Sequence, residues 1–313
     1  MSGRAWSVGR TAEVAGFARA AARRRDEGLR LLVLVDGTCP RWVIEATKGA
    51  LLPERSSAEV IVADLRQPLR DPGEVDAAIL LVSESSPSEA PLSLARRGVR
   101  VALVSEDALD APSFSSDEPA LGLVSVVAGS SRDTLLDKLA LWLCSVTDKQ
   151  IALGACFPFC RTAVTNGLVR RCALQNAGVG AVPLIAGSDF PVMTANQMRL
   201  ALDVSAVYGR GLEPTRVAEL FGVLGGALAW RAFARRILSA APALGLIARA
   251  GVAFGGTMLT GELLKFRFVA PDVPLASRAR EKDSGGVGTS LPLASGSTGD
   301  AGNTGYVTIG EAS

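Results

Sequence analysis

The sequence predicts an α/β domain built on a parallel sheet, followed by an all-α domain. Three observations carry that prediction. Five short apolar runs of strand type recur between helical patterns in the first half. Charged residues then thin out after Asp148 and Lys149. Hydrophobic residues make up 48 % of the 313 positions and aromatics only 5 %, so Ala, Leu, Val and Gly supply the apolar content, which favours close helix packing.

Residues 1–28 are basic but lack a continuous apolar core with a cleavage site, and they read as a surface or docking helix. From Leu29, LRLLVLVDG is a continuous apolar run ending at Gly37, the pattern of a strand buried on both faces. AEVIVADL (Ala58 to Leu65), DAAILLVSE (Asp76 to Glu84), GVRVALVSED (Gly98 to Asp107) and LGLVSVVAGS (Leu121 to Ser130) repeat the beat. A patterned helix, SRDTLLDKLALWLCSV, closes a domain spanning 29–148. Alternation of this kind implies right-handed crossovers and helices on both faces of the sheet.

A helical domain is expected over 149–269, its boundary lying between Val146 and Gln150. None of its uncharged runs reaches a clean twenty-residue span, so no transmembrane helix is predicted from them. Gly222 with Gly226 and Gly251 with Gly255 form G-x-x-x-G pairs suited to close helix contact. Pro191 suits a first helical turn capped by Ser188 or Asp189, and Gly209 and Gly211 supply the stop. On that helix Asp189, Asn196 and Asp203 recur every seven residues on one face, and Arg199 can pair with Asp203 one turn on. With Gln197 they form a polar seam for helix packing or for a partner. Residues 270–313 are rich in Gly, Ser and Thr and read as a disordered tail.

Composition narrows function. With 33 basic and 31 acidic residues, the net charge of +2 has no clustered basic footprint, so nucleic acid is not an expected partner. The chain has no His, which excludes Ser-His-Asp and Cys-His catalysis. Its five cysteines lack a C-x-x-C spacing and read as reduced, packed thiols. Glu84, Glu89, Glu106, Asp107, Asp110, Asp117 and Glu118 make the strand-end loops acidic, as solvated loops usually are.

The order and lengths of these elements resemble an Era-type GTPase domain. The resemblance implies a P-loop fold, with Asp36-Gly37-Thr38-Cys39-Pro40-Arg41-Trp42-Val43 in the place of the phosphate loop. That stretch has one Gly, no Lys where one is needed, and a Pro that removes an N–H donor. Lys48 lies too far into the following helix, and Ser105, Glu106, Asp107 and Ala108 stand where the guanine-reading N-K-x-D belongs. The expectation is a degenerate GTPase domain without a cofactor. The alternative is a divergent switch holding GTP or GDP with Mg through Gly37 and Thr38.

Ala181 to Phe266 resembles the YcjF-like domain of unknown function appended to some Era-type GTPases. The match runs through the Pro183–Pro191 turn, Asn196-Gln197-Met198-Arg199, Tyr208-Gly209, Ala240-Ala241-Pro242 and GGTMLTGELLKF. It implies a membrane-leaning, non-catalytic domain on the cytoplasmic side of the cell membrane, peripheral or integral. The partners it implies are membrane lipid, a helical membrane protein or a second copy in a homo-oligomer.

Overall fold

A computed structural model describes residues 2–68, 71–115, 118–181, 189–210, 245–269 and 307–308; the side chains of 2–13, 189–191, 245–249, 267–269 and 307–308 lie outside the description. Helix α1 (Ser2–Arg25) leads into β1 (Leu29–Val35), α2 (Arg41–Ala50) and β2 (Ala58–Asp64). Next come β3 (Ala77–Leu81), α3 (Glu89–Arg96), β4 (Val101–Ser105), β5 (Val124–Ala128) and α4 (Arg132–Val146). The helical half contains α5 (Gln150–Cys156), α6 (Arg161–Ala181), α7 (Asp189–Val207) and α8 (Gly245–Val269), and β6 (Val307–Thr308) follows.

β1 to β5 form a parallel sheet in the order β2-β1-β3-β4-β5. This is a doubly wound order in which the chain reverses direction between β1 and β3. β3 and β4 are buried at every position, as strands covered on both faces must be. Alternate residues of β1 feed two cores. Leu29, Leu31 and Val33 face α2, α4 and the helical half, whereas Leu32 and Leu34 face α3.

The first of these cores runs without a break from Leu29 and Ile79 through Trp142 and Phe157 to Leu200 and Val207. The expected boundary at 148–149 therefore marks a turn between α4 and α5 across a shared interior. Local chemistry sets the ends of several elements. Ser131 Oγ accepts from Thr134 N at 3.3 Å and starts α4. Gly98 (φ 82°) ends α3, and Gly209 (φ 66°) ends α7 with its N–H on Ala206 O, as only glycine adopts at low cost. Gly211 lies outside the described residues.

Two expectations need correction. The helical close approach does not use Gly251 and Gly255, around which an added Cβ would find nothing within 4 Å. It occurs instead at Gly261, where a Cβ would overlap the Val169 methyls of α6, and at Gly154, where one would sit 2.7 Å from Val207 Cγ1. The glycine motif named the spacing but not the face that touches a neighbour. The tail is the second case: Val307 and Thr308 form a strand against β5, while the rest of 270–313 lies outside the described residues. Gly222 and Gly226 lie outside them too.

Candidate functional site

In a doubly wound sheet, ligands bind beyond the carboxyl ends of the strands at the point where the order reverses. Here that crevice lies between the loops following β1 and β3, and the predicted Gly37 and Thr38 stand in it, both exposed. Asp36, the residue after β1, is fully buried and turns its carboxylate back onto its own surroundings. It accepts from Thr38 N at 3.0 Å, Ser86 Oγ at 2.6 Å, and Arg66 Nε and Nη2 at 2.9 Å each. Burial pushes this carboxyl up, but the bonds from Arg66, Ser86 and Thr38 outweigh it and hold the group well below the usual carboxylate range.

Around this ion pair sits a ring of hydroxyls. Thr38 Oγ1 and Ser83 Oγ share a 2.7 Å hydrogen bond, and Ser85 Oγ donates to Thr38 Oγ1 at 3.2 Å. Arg66 also donates to the Ser85 carbonyl at 3.2 Å. Asp36, acidic and fully bonded, is a poor proton acceptor for these hydroxyls. Gly37 has ordinary backbone angles and open space around it, so no close backbone approach depends on its missing side chain.

Cys39, in the same loop, is buried, and its thiol is pushed up to about 12 by burial first and then by Asp36, Asp110 and Glu106. It is a packed, unreactive sulfur at neutral pH. After β4, Ser105 Oγ donates to the Asp107 carbonyl at 2.6 Å, while Asp107 and Asp110 cap a single 3₁₀ turn reciprocally. The residues in the guanine-reading position thus serve local structure. Sequence reasoning missed Arg66 and Ser86; the signal available was an Asp-Leu-Arg sequence directly after a strand.

The polar seam of α7 divides among different neighbours. Asp203 is buried and takes a fork from Arg24 of α1, with Nη2 at 2.7 Å and Nη1 at 3.2 Å; Arg199 stands off at 3.9 Å. Burial raises the Asp203 carboxyl above its ordinary value, against the pull of Arg24 and Arg199. Asn196 Nδ2 donates to Asn176 Oδ1 at 3.0 Å, and Asn176 Nδ2 donates to Thr257 Oγ1 at 2.9 Å, stitching α7, α6 and α8 together. Gln197 is buried, and neither amide atom has a hydrogen-bond partner among the described residues. Asp189 begins α7, and its side chain lies outside the description.

A cleft of about 710 Å³ opens at the opposite, amino end of the sheet, lined by Arg30, Asp71, Asp76, Arg97 and Lys149 among others. Two ion pairs cross it: Arg97 with Asp71 at 2.6 Å, and Lys149 with Asp76 at 2.7 Å. It lies at the opposite end of the sheet from the strand ends where such folds bind ligands, so the reversal-point crevice is the better candidate.

Among the described residues no group of three or more His, Cys, Asp or Glu is placed to hold a metal ion, and no helix is long and apolar enough to cross a membrane. The fold and crevice define a class: a doubly wound α/β protein with a helical half sharing its core and a self-neutralised crevice at the strand reversal. No family model, curated protein or solved structure matches the chain.

Proposed function

We propose that the chain is a non-catalytic, membrane-associated docking protein, in which a degenerate GTPase-like sheet domain is coupled to a YcjF-like helical domain that meets lipid at the cytoplasmic side of the cell membrane. One observation carries the non-catalytic half of this reading. The Asp36 carboxylate takes the Thr38 N–H and the Arg66 guanidinium, the two donors in the crevice best suited to a phosphate. A nucleotide phosphate entering there would find these donors already held by a buried carboxylate.

The lipid-facing half is supported by the outer side of α8. Leu259, Leu263 and Phe266 are 49 %, 46 % and 61 % exposed and follow one another at helical spacing, in line with the exposed Gly251 and Gly255. Such a stripe suits burial in an interface plane better than a span.

Two measurements on the full chain test the reading. Labelled GTP and GDP with Mg should show no saturable binding; tight binding that is lost on Thr38→Ala would establish the nucleotide switch instead. In flotation, the protein should rise with vesicles containing anionic lipid, and Leu259→Lys with Phe266→Lys should keep it at the bottom of the gradient. A wild-type protein that ignores the vesicles would sink the membrane assignment.

A further inference from the structure

A sheet has two edges, and this one treats them differently. The β2 edge carries Glu59 and Asp64, with Arg30 of β1 reaching across to Glu59 at 2.8 Å. Charged residues on an edge strand discourage pairing with another chain. The β5 edge has no such protection. Its sequence, Val124-Ser125-Val126-Val127-Ala128, is uncharged and β-branched, the composition most prone to accept a foreign strand.

That edge is where the C-terminal segment lands. β6 pairs antiparallel with β5, Thr308 facing Ser125 and Val307 facing Val126, on a sheet that is otherwise parallel. The local sequence suits the role: Tyr306-Val307-Thr308-Ile309 is a β-branched and aromatic run between Gly305 and Gly310, within a stretch otherwise rich in Gly, Ser and Thr. An antiparallel strand needs no crossover, so a chain end can add it from outside. Among the described residues two facing pairs are formed, and each ladder hydrogen bond contributes little net free energy.

We propose that the outer edge of β5 is a strand-docking site, and that its occupant is this chain's own C-terminal segment around Val307 and Thr308. The segment covers the edge in cis and can be replaced by an extended peptide through main-chain pairing, with side-chain spacing supplying selectivity. The covered edge blocks sheet-to-sheet association of the protein with itself. This assignment is independent of the membrane and nucleotide readings, since the reversal-point crevice and α8 take no part in it.

The test uses the full chain and a Val307→Pro/Thr308→Pro variant, because proline removes a ladder donor whichever of the two residues supplies it. Hydrogen exchange read by mass spectrometry should show, within peptides spanning Val124 to Ala128, the outward-facing amide at Ser125 or Val126 exchanging about fivefold faster in the variant, the loss of roughly one net hydrogen bond. Exchange in β1 and β3 should be unchanged, which also shows that the variant is folded. A synthetic GYVTIG peptide in excess should restore slow exchange in β5, and the same peptide carrying proline at both central positions should not. Unaltered β5 exchange in the variant would overturn the proposal. So would wild-type protection that disappears on dilution together with a dimeric mass by light scattering, since that outcome assigns the cover to a second copy.

Discussion

The guanidinium of Arg66 closes a fork on Asp36 from thirty residues away, Nε and Nη2 each standing 2.9 Å from a different carboxylate oxygen. Arg66 is half exposed and Asp36 fully buried, so the pair brings one charge out of the crevice and neutralises the other within it. It ties the loop after β1 to the loop after β2, and Ser86 brings in the loop after β3. Three strand ends are thereby held by one carboxylate.

Asp36 should leave a signature in acid. Its folded-state pKa lies below the unfolded value, so its stabilisation is present above the ordinary carboxylate range and is lost as pH falls through the lower folded value. Asp36→Asn should therefore be less stable than wild type at about pH 7, with the difference shrinking as pH falls below about 4 and vanishing only once pH passes the lower folded value. Thermal melting of both proteins across that range checks the sign. A constant difference would mean that the carboxylate charge is not what matters.

Asp203 should behave in the opposite sense. Burial raises its folded pKa, so the native state holds more protons and stability declines as pH rises from the ordinary carboxylate range through the raised folded value. Asp203→Asn should remove that decline. Losing the partner is the worse change: Arg24→Ala leaves a buried carboxylate with Arg199 at 3.9 Å as its remaining ion-pair neighbour, at a cost of about 2–3 kcal/mol. Denaturant unfolding of the two variants should rank Arg24→Ala as the less stable near neutral pH.

The glycines of the helical half offer a paired comparison. Gly261→Ala and Gly154→Ala should each destabilise by about 1–3 kcal/mol, because a methyl group drives into Val169 or Val207 across a packed interface. Gly251→Ala and Gly255→Ala, with open space around each, should be neutral or stabilising by up to about 1 kcal/mol from helix propensity. Equal penalties at all four positions would refute the assignment of the contact face.

Gln197 buries an amide whose oxygen and nitrogen both lack partners among the described residues. Gln197→Met keeps the volume and removes the desolvation cost, so its midpoint of unfolding should rise, by about 1 kcal/mol in stability. A destabilised variant would show that the amide makes a bond in solution that its present geometry does not contain.

Much of the α/β half was legible because burial on both faces forces continuous apolar runs, and the runs at Leu29, Ala58, Ala77, Val101 and Val124 are the five parallel strands. The loop at Gly37 and Thr38 was legible as the turn between β1 and α2. Its content was not, since nothing near Asp36 in the chain announces Arg66 or Ser86. The seven-residue recurrence of Asn196 and Asp203 correctly puts them along α7. It could not say that Asn196 would meet Asn176 while Asp203 would meet an arginine from the first helix.

By itself the sequence determined the local periodicities: where the five parallel strands and the helices beside them run, where Gly209 stops α7, and that no histidine chemistry is present. Tertiary structure alone decided the strand order, the shared core of the two halves, the pairing of Asp36 with Arg66 and the landing of Val307–Thr308 on β5. The division has a physical reason. Backbone sterics and amphipathic spacing act over a few residues and are written in neighbouring letters, whereas ion pairs, edge pairing and helix contact faces depend on which distant segments compete for the same buried surface.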